Sequence, residues 1–286
     1  MNLTSDSEFK SRIGFMQGRL SPMVNGKIQA FPYETWKNEF AIAKLNNYSL
    51  MEWTLDYEDP FINPLMTEVG RAEIKVLMEG NNLEIPSITG DCFMQAPFWK
   101  ATGDTAHSLI SDLYQIVECC GLVGIKNIVI PLVDDGQLKS KYEEDFLVST
   151  FLNAESDLVG SGVNIIFESD FDPFRLVKLM NRLDTPNFGI NYDIGNSAAL
   201  GFDPLEEIGV YGDRIYNVHV KDRPFGGTTV PLGDGDANFD KVFKALGQIG
   251  YQGNFILQTA RAMDDRHLEV LNSYRDFTML TTKDYF

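Results

Sequence analysis

The sequence predicts an α/β fold of the (β/α)8 TIM barrel class, and three observations support this prediction. Short apolar segments, often rich in β-branched residues, alternate along the chain with longer segments of helical periodicity. There are eight apolar segments, and strands that alternate with helices form parallel βαβ units. No G-x-G-x-x-G follows the first segment, as it would in the open doubly wound sheet that is the alternative. Eight parallel units therefore favour a closed barrel.

The predicted strands are short and spread over the chain. They cover residues 13–17, 49–53, 84–88, 127–131, 164–168, 188–192, 215–220 and 254–258. The predicted helices between them include residues 33–45, 65–79, 105–120, 143–159, 174–181 and 240–248. Gly80, Gly121 and Gly160 stand where a helix is expected to end in a left-handed residue, and Asn46 with Asn47 serves the first helix in the same way.

Composition limits the class of protein. The 286 residues fit one domain over residues 1–286, because barrels of about 250 residues commonly form one domain. With 24 basic and 41 acidic residues the formal net charge is -17, which disfavours nucleic acid as a partner. The three cysteines form no disulfide framework, and no run of about 18 apolar residues predicts a membrane span. We therefore expect a cytoplasmic protein that acts on a small molecule.

In a barrel of this class the chemistry lies at the carboxyl ends of the strands, so polar residues there are candidate site residues. Glu168 closes the fifth strand in NIIFESD, Asp193 follows the sixth in GINYDIGN, and His219 interrupts the seventh in YNVHVKD. Each alone has a structural explanation, as a loop acid, a helix cap or a core histidine. Together, at the ends of three consecutive strands, two carboxylates and an imidazole suit Mn²⁺, Co²⁺, Mg²⁺ or Zn²⁺. The sequence therefore predicts a divalent-metal site.

Four cations fall at or just after strand ends on the same face, which is noticeable in so acidic a chain. They are Arg19, Lys221, Arg223 and Arg261. They indicate an anionic substrate, with phosphate as the first expectation, although neutralisation of the acidic metal site explains them too. Further candidate substrate contacts lie near the ends of the first three strands: Gln17, Glu52, Trp53 and Asp91.

Several segments resemble a known family. IGFMQGRLSP, FESD, NYDIGNSAALGFDP and NVHVKDRPFGGTTVPLGDGDANF are similar to the sugar phosphate isomerase/epimerase group of the xylose isomerase-like barrel superfamily. The resemblance extends from Ile13 to Arg261, and the His-x-Lys-Asp string followed by V-P-L-G-x-G is its most specific part. It implies a small sugar or sugar phosphate as substrate, and a homo-oligomer as one expected assembly. The superfamily also contains endonuclease IV, whose three-zinc cluster is rich in histidine; this chain has 3 histidines in all, so DNA repair is excluded.

The resemblance implies a metal held by Glu, Asp, His and Glu at the ends of the last four strands. Glu168, Asp193 and His219 match the first three positions, whereas the fourth is Gln258 in GNFILQTAR. A glutamine oxygen can bind a divalent cation but adds no charge, and an amide cannot accept a proton near neutral pH. The family's epimerases use two glutamates that exchange protons at opposite faces of one carbon. The second of these bases is absent here.

Four functional hypotheses follow from this substitution. An isomerase needs only Glu168, which removes a proton next to a carbonyl and returns it to the adjacent carbon through a cis-enediolate, while Lys221 steadies the oxyanion. An epimerase needs another second base, for which Asp91 or Glu52 is the candidate. An inosose-type dehydratase begins with the same proton abstraction, and a non-catalytic sugar-phosphate-binding protein is the remaining alternative. We expect a divalent-metal-dependent isomerase or epimerase.

Overall fold

A computed structural model describes residues 9–58 and 60–286, and the barrel prediction is confirmed. In the described residues eight parallel strands close in sequence order, because β1 pairs with both β2 and β8. The strands are β1 (Ile13–Met16), β2 (Met51–Thr54), β3 (Ser87–Thr89), β4 (Asn127–Leu132), β5 (Asn164–Ser169), β6 (Phe188–Asp193), β7 (Ile215–Val220) and β8 (Asn254–Leu257). Residues 1–8 and 59 of the predicted single domain lie outside the described residues.

Helices follow the strands and surround the barrel. They are α1 (Trp36–Leu45), α2 (Glu68–Asn81), α3 (Asp91–Gln95), α4 (Gly103–Val123), α5 (Lys141–Ser161), α6 (Pro173–Met180), α7 (Ile194–Leu200), α8 (Pro204–Tyr211), α9 (Phe239–Gln248) and α10 (His267–Thr282). Short 3₁₀ turns cover Pro60–Ile62, Pro64–Met66, Phe98–Lys100, Asp134–Gly136 and Gly212–Arg214. Within residues 9–58 and 60–286, no helix combines the length and apolarity needed to cross a bilayer.

The three glycines predicted to end helices lie inside them, so that prediction is wrong. The left-handed residues that end α2, α4 and α5 are Asn82, Gly124 and Gly162, which come two or three residues later. Gly121 has another role, because a Cβ there would lie 2.8 Å from the carbonyl oxygen of Ser161. The glycine therefore lets α4 approach α5 closely. The left-handed conformation of Asn47 after α1 agrees with the sequence prediction.

Hydrogen bonds between strands that are not neighbours identify the side chains that face the barrel interior. Glu52 on β2 bonds to His219 and Asn217 on β7, so all three point inward. Strand side chains alternate between the two faces, and Trp53 accordingly points outward to the helical layer. Its ring centroid lies 5.6 Å from that of Trp36 on α1. The interior near the carboxyl ends is thus polar, while the aromatic core lies between the strands and the helices.

Candidate active site

Three ligand atoms converge at the mouth of the barrel, which is formed by the carboxyl ends of the strands. Glu168 lies near the end of β5, Asp193 is the last residue of β6, and His219 is the penultimate residue of β7. One oxygen of each acid and one ring nitrogen of the histidine lie within 4.8 Å of one another. The three residues are only 6%, 5% and 0% exposed, respectively. This compact buried group of oxygen and nitrogen donors can hold a divalent cation.

The imidazole of His219 is held by a carboxylate on each side. Its Nε2 lies 2.8 Å from Glu52 Oε1, and its Nδ1 lies 3.1 Å from Glu168 Oε2. Burial opposes protonation of the ring, but the charges of Glu52 and Glu168 outweigh it and raise the pKa of His219 to about 10. Glu52 is fully buried and also accepts hydrogen bonds from Ser87 (2.6 Å) and Asn217 (3.0 Å). Glu52 therefore fixes the ring so that Nδ1 faces the other donors.

Both oxygens of Glu168 are oriented by amide side chains. Asn196 Nδ2 donates to Oε1 over 2.6 Å, and Asn191 Nδ2 donates to Oε2 over 2.9 Å. Burial favours the neutral acid, but the hydrogen bond from His219 and the charge of Lys221 hold the pKa of Glu168 below its usual range. The carboxylate is ionised and fixed in direction, which suits either a metal ligand or a general base.

Asp193 serves different partners with its two oxygens. Oδ1 accepts the backbone N–H of Asn196 over 2.8 Å and so caps α7. Oδ2 lies 2.6 Å from Lys221 Nζ as an ion pair that lacks hydrogen-bond alignment, and no donor bonds to it among the described residues. Burial raises the pKa of Asp193 against the opposing charge of Lys221. The helix cap and a ligand position are therefore compatible in one residue.

The close approach of Lys221 depends on a glycine in the segment NYDIGN. A Cβ at Gly195 would lie 2.8 Å from the Cγ of Lys221 and 3.0 Å from its carbonyl carbon. Any other residue at position 195 would displace Lys221 and lengthen its ion pair with Asp193. This glycine is therefore needed for packing around the site.

A second polar group, which we call the polar arc, lies on the side of the mouth formed by β8, β1 and β3. It consists of Gln258 after β8, Gln29 in the loop after β1, and Asp91 after β3. Gln29 donates to Asp91 Oδ2 over 2.7 Å and accepts from Gln258 Nε2 over 3.1 Å. Thr89 donates to the other oxygen of Asp91 over 3.1 Å. Burial and then the charge of Asp56 raise the pKa of Asp91 to about 6.

The family follows from a match between residues 40–276 and the family model described as Xylose isomerase-like TIM barrel. The chain belongs to the xylose isomerase-like TIM barrel family. The predicted resemblance is thereby confirmed.

Individual relatives agree with this family. L-ribulose-5-phosphate 3-epimerase UlaE of Escherichia coli O8 (strain IAI1) is 23% identical over 235 residues, which are 79% of this chain and 82% of the relative. D-psicose 3-epimerase from Clostridium cellulolyticum H10 has a TM-score of 0.74 at 13% identity, over 95% of this chain and 99% of that one. The IOLI protein with a bound zinc atom has a TM-score of 0.74 at 16% identity, over 96% and 99%. The structures show the shared fold, and the relatives' names support the prediction of a sugar isomerase or epimerase.

The donor set of this xylose isomerase-like barrel fits a divalent metal ion. Asp193 Oδ2 and Gln258 Oε1 are buried oxygens with no hydrogen-bond donor among the described residues. Asp193 Oδ2 has the ion pair with Lys221, whereas Gln258 Oε1 has no partner in the described part of the chain; such a buried polar atom costs about 1–3 kcal/mol, and a bound cation would remove that cost. Glu168 and the Nδ1 of His219 add the charge and the nitrogen that such ions accept.

Arg19 and Arg261 lie between the loop after β1 and the end of β8 in this family member. Arg19 is 4% exposed and donates to the carbonyl oxygens of Ile28 (3.0 Å) and Thr259 (3.1 Å). Burial and the charge of Arg261 lower the pKa of Arg19 to about 9. Arg261 donates Nη2 to the carbonyl of Ser21, and its buried Nε has no acceptor among the described residues. Arg19 therefore links two loops, whereas Arg261 keeps one donor, Nε, without an acceptor among the described residues.

Arg223 acts on the site through an amide. Its Nη1 donates to Asn196 Oδ1 over 2.7 Å, and its Nε and Nη2 donate to the carbonyl of Gly227. Asn196 in turn donates to Glu168. Two hydrogen bonds, through Asn196, therefore connect Arg223 to the predicted catalytic carboxylate of Glu168.

Two predicted substrate contacts lie elsewhere. Trp53 is fully buried on the outer face of β2, where its indole N–H donates to Asn63 Oδ1 over 3.0 Å, so the prediction of a sugar contact for Trp53 is wrong. The reason is strand alternation, because Glu52 already takes the inward position. Gln17 is also fully buried; its Oε1 accepts the backbone N–H of Thr54 over 3.0 Å, and its Nε2 has no acceptor among the described residues.

Sequence reasoning missed the amides that support the site. Asn191 and Asn217 lie two residues before Asp193 and His219, so a strict period of two along β6 and β7 would have placed them on the same inward face. Asn191 Oδ1 accepts a hydrogen bond from Asn217 over 2.8 Å, and Asn191 in turn donates to Glu168. Gln29 comes from an irregular loop, where no such periodicity exists.

The family string His-x-Lys-Asp followed by V-P-L-G-x-G forms one structural unit. Asp222 is fully buried and accepts the backbone N–H groups of Gly233 (2.8 Å), Gly235 (3.0 Å) and Ala237 (3.1 Å). A Cβ at Gly235 would lie 2.2 Å from Asp222 Oδ1, so only glycine fits there. The acid next to Lys221 thereby fixes the loop after β7 at the mouth of the barrel.

Proposed function

We propose that the protein is a divalent-metal-dependent isomerase or epimerase that acts on a small sugar or sugar phosphate by proton abstraction and an enediolate intermediate. The observation that carries the proposal is the buried group of Glu168, Asp193 and His219, whose ligand atoms lie within 4.8 Å of one another at the ends of three consecutive strands. Membership of the xylose isomerase-like family and the names of its relatives support the same class of reaction.

These three residues would hold the metal, with Gln258 Oε1 as a neutral fourth ligand. When bound, a divalent cation supplies a Lewis acid that polarises a sugar carbonyl. Mn²⁺, Co²⁺, Mg²⁺ and Zn²⁺ all suit oxygen and nitrogen ligands of this kind. We infer that Glu52 keeps Nδ1 of His219 available as the ligand atom, because Nε2 is the nitrogen bonded to its carboxylate.

Glu168 is the proposed base. Its two oxygens are fixed by Asn191 and Asn196, so the carboxylate needs no reorientation when the substrate carbon arrives. It removes the proton from a carbon next to the carbonyl, and the electron pair of that C–H bond forms the enediolate. Lys221 lies beside Asp193 and carries the positive charge that steadies the developing oxyanion.

The substrate proposal rests on chemistry and on relatives. L-ribulose-5-phosphate and D-psicose are ketoses named for proteins that this chain resembles. Arg261 retains a buried donor that can receive an anionic group, which supports a sugar phosphate. We also propose that residues 1–286 form one domain, that the protein is cytoplasmic and that it assembles as a homo-oligomer.

Elemental analysis of protein purified without chelator tests the metal proposal, with His219→Ala as the variant. Near-stoichiometric Mn, Co or Zn that disappears in His219→Ala supports the site. His107→Ala is a matched control, because His107 is an exposed helical histidine outside the site and its removal leaves the metal in place. No metal in the purified wild type, and none taken up on titration, contradicts the proposal.

Assays separate the alternatives. A panel of ketoses, aldoses and their phosphates yields an isomer or epimer if the proposal holds. Loss of water from a cyclic ketose would instead identify an inosose-type dehydratase. Thermal stabilisation by a sugar phosphate without turnover and without dependence on metal would identify a binding protein.

A further inference from the structure

An epimerase needs two proton-transfer groups on opposite sides of one carbon, and Gln258 cannot be the second. Its amide has no basic atom near neutral pH. If this site epimerises a sugar, an ionisable group on the side of the mouth opposite Glu168 must take that role. The polar arc includes Gln258, which holds the position of the family's second glutamate, and Gln29 connects it to an acid, Asp91.

Asp91 is the carboxylic acid of the polar arc, and it lies close to the position of the missing glutamate in the hydrogen-bond network. One side chain, Gln29, bonds to both Asp91 (2.7 Å) and Gln258 (3.1 Å), so two hydrogen bonds separate the Asp91 carboxylate from the Gln258 amide. Glu168 and Asp91 are close enough to interact electrostatically. Asp91 follows β3 and Glu168 lies on β5, so the two carboxylates come from strands that are two places apart around the mouth.

The other candidate acid, Glu52, is not available for this role. It is fully buried beneath His219, and its oxygens accept three hydrogen bonds from interior side chains. Asp91 is 8% exposed, and each of its oxygens accepts one neutral donor, from Thr89 or Gln29. Across residues 9–58 and 60–286, Asp91 forms no direct ion pair with a basic side chain; the charges that act on it are those of Asp56 and Glu168, which raise its pKa, and the more distant charge of Arg19.

We propose that Asp91 is the second acid–base group of this site, and that it exchanges a proton with the substrate carbon on the face opposite Glu168. This assignment rests on the proposed function. The raised pKa of Asp91, about 6, keeps a useful fraction of the acid form near neutral pH and supports the assignment.

Over one catalytic cycle the enzyme gains and loses the same number of protons. Glu168 takes the proton of the carbon next to the carbonyl, which leaves an enediolate and a neutral Glu168. Asp91 gives its own proton to the opposite face of that carbon as the carbonyl re-forms, and becomes a carboxylate. Glu168 then releases a proton to solvent and Asp91 takes one up, so the enzyme returns to its starting state and no oxidant or reductant is consumed.

The test follows hydrogen exchange and epimer formation separately, in D₂O with Mn²⁺, on L-ribulose 5-phosphate, L-ribulose, D-psicose and D-tagatose. Proton NMR measures deuterium entry at the carbon next to the carbonyl and the ratio of epimers. We expect Asp91→Asn to lower epimer formation at least 100-fold while Glu168-dependent exchange continues, since asparagine keeps an oxygen for Gln29. Glu168→Gln should lose both, and Asp213→Asn, a change at an exposed aspartate, should behave as wild type.

A second variant tests whether the loss reflects chemistry or structure. Gln258→Glu restores the family's carboxylate, so the double variant Asp91→Asn/Gln258→Glu should recover epimer formation to within about tenfold of wild type. Recovery supports the assignment, because a disturbed loop would not be repaired by a new base. Elemental analysis of each variant confirms that the metal content is unchanged.

Other outcomes overturn the assignment in distinguishable ways. Undiminished epimer formation by Asp91→Asn, or loss of epimer formation, exchange and metal together, removes Asp91 from this role. Exchange without epimer formation in the wild type also overturns it, but leaves the proposed function standing as an isomerase. Absence of exchange and of products from wild-type protein on the whole panel overturns the proposed function, and this assignment with it.

Discussion

The two halves of the barrel mouth are built differently. The half formed by β5, β6 and β7 carries two carboxylates and an imidazole, each fixed by buried hydrogen bonds from the barrel interior. The half formed by β8, β1 and β3 carries an amide at the strand end and reaches its acid, Asp91, through a loop residue. The first half lies on regular strands, whereas the second depends on a loop.

The two halves differ in where a negatively charged ligand is retained and where a neutral one replaces it. Three donors of the metal group come from strand positions whose direction is set by the pleat. At the fourth ligand position, after β8, Gln258 supplies an oxygen without a charge, and the acid linked to it through Gln29 follows β3. We call the half with β5, β6 and β7 the ligand half, and the half with Gln258 and Asp91 the base half. The two halves of such a site can therefore change independently.

The largest expected effect is the loss of the base on the ligand half. Glu168→Gln removes proton abstraction while both supporting amides remain, so we expect turnover to fall about 1000-fold, within the range for a positioned general base. Steady-state rates on the active member of the ketose panel measure this, with Glu79→Gln, at an exposed position on α2, as the control for a neutral glutamate substitution. Activity within tenfold of wild type would remove Glu168 from the mechanism.

The ligand half was readable from the sequence because strand geometry is regular. The eight strands are predicted by short apolar segments that alternate with helical segments. The rule that chemistry lies at the carboxyl ends of the strands then brings Glu168, Asp193 and His219 together. The alternation of side chains along β2 also puts Glu52 and Trp53 on opposite faces of the sheet, although the sequence predicts both as substrate contacts.

The base half was not readable in the same way. Gln29 lies in an irregular loop, and its bonds to Asp91 and Gln258 join residues 62 and 229 positions away in the chain. Only the folded path of that loop, whose start is fixed by the bonds of Glu39 to the N–H groups of Gly18 and Leu20, brings them together. The end of α4 also differs from the prediction, because Gly121 serves helix packing against α5.

The next effect concerns the support beneath the ligand half. Glu52→Gln keeps the shape but removes the charge that faces Nε2 of His219, so we expect metal affinity to fall by about 10–100-fold. Ser87→Ala is the matched control, because it removes one hydrogen bond to the same carboxylate and leaves the charge; its effect should stay within about threefold. Competition with a chelator of known affinity measures both. Equal metal affinity in Glu52→Gln and wild type would contradict a positioning role for Glu52.

The base half should carry a cost in stability at Asp91. The folded-state pKa of Asp91, about 6, lies above its unfolded value of about 4, so the folded state resists its ionisation. The stability from this group is complete below pH 4 and is lost as the pH rises through 6. Asp91→Asn avoids the loss, and its unfolding free energy relative to wild type should be larger at pH 8 than at pH 4 by up to about 3 kcal/mol.

Urea unfolding in the presence of chelator at both pH values measures this difference, and Asp213→Asn controls for the loss of an exposed charge. A relative stability of Asp91→Asn that stays constant with pH would show that Asp91 ionises as easily in the folded protein as in the unfolded chain. The acid–base role would then lack its electrostatic support.

The smallest expected effect separates two arginines that the sequence could not distinguish. Both donors of Arg19 that face carbonyls are used on Ile28 and Thr259, whereas the Nε of Arg261 is free among the described residues. We expect Arg261→Gln to lower kcat/KM about tenfold more for a phosphorylated ketose than for the same sugar without phosphate, since one charge-assisted hydrogen bond is worth about 1.5–3 kcal/mol. Arg19→Gln should lower both equally, because it loosens two loops. An equal loss for both sugars in Arg261→Gln would mean that Arg261, like Arg19, only links the loops, and that the base half recognises a neutral sugar.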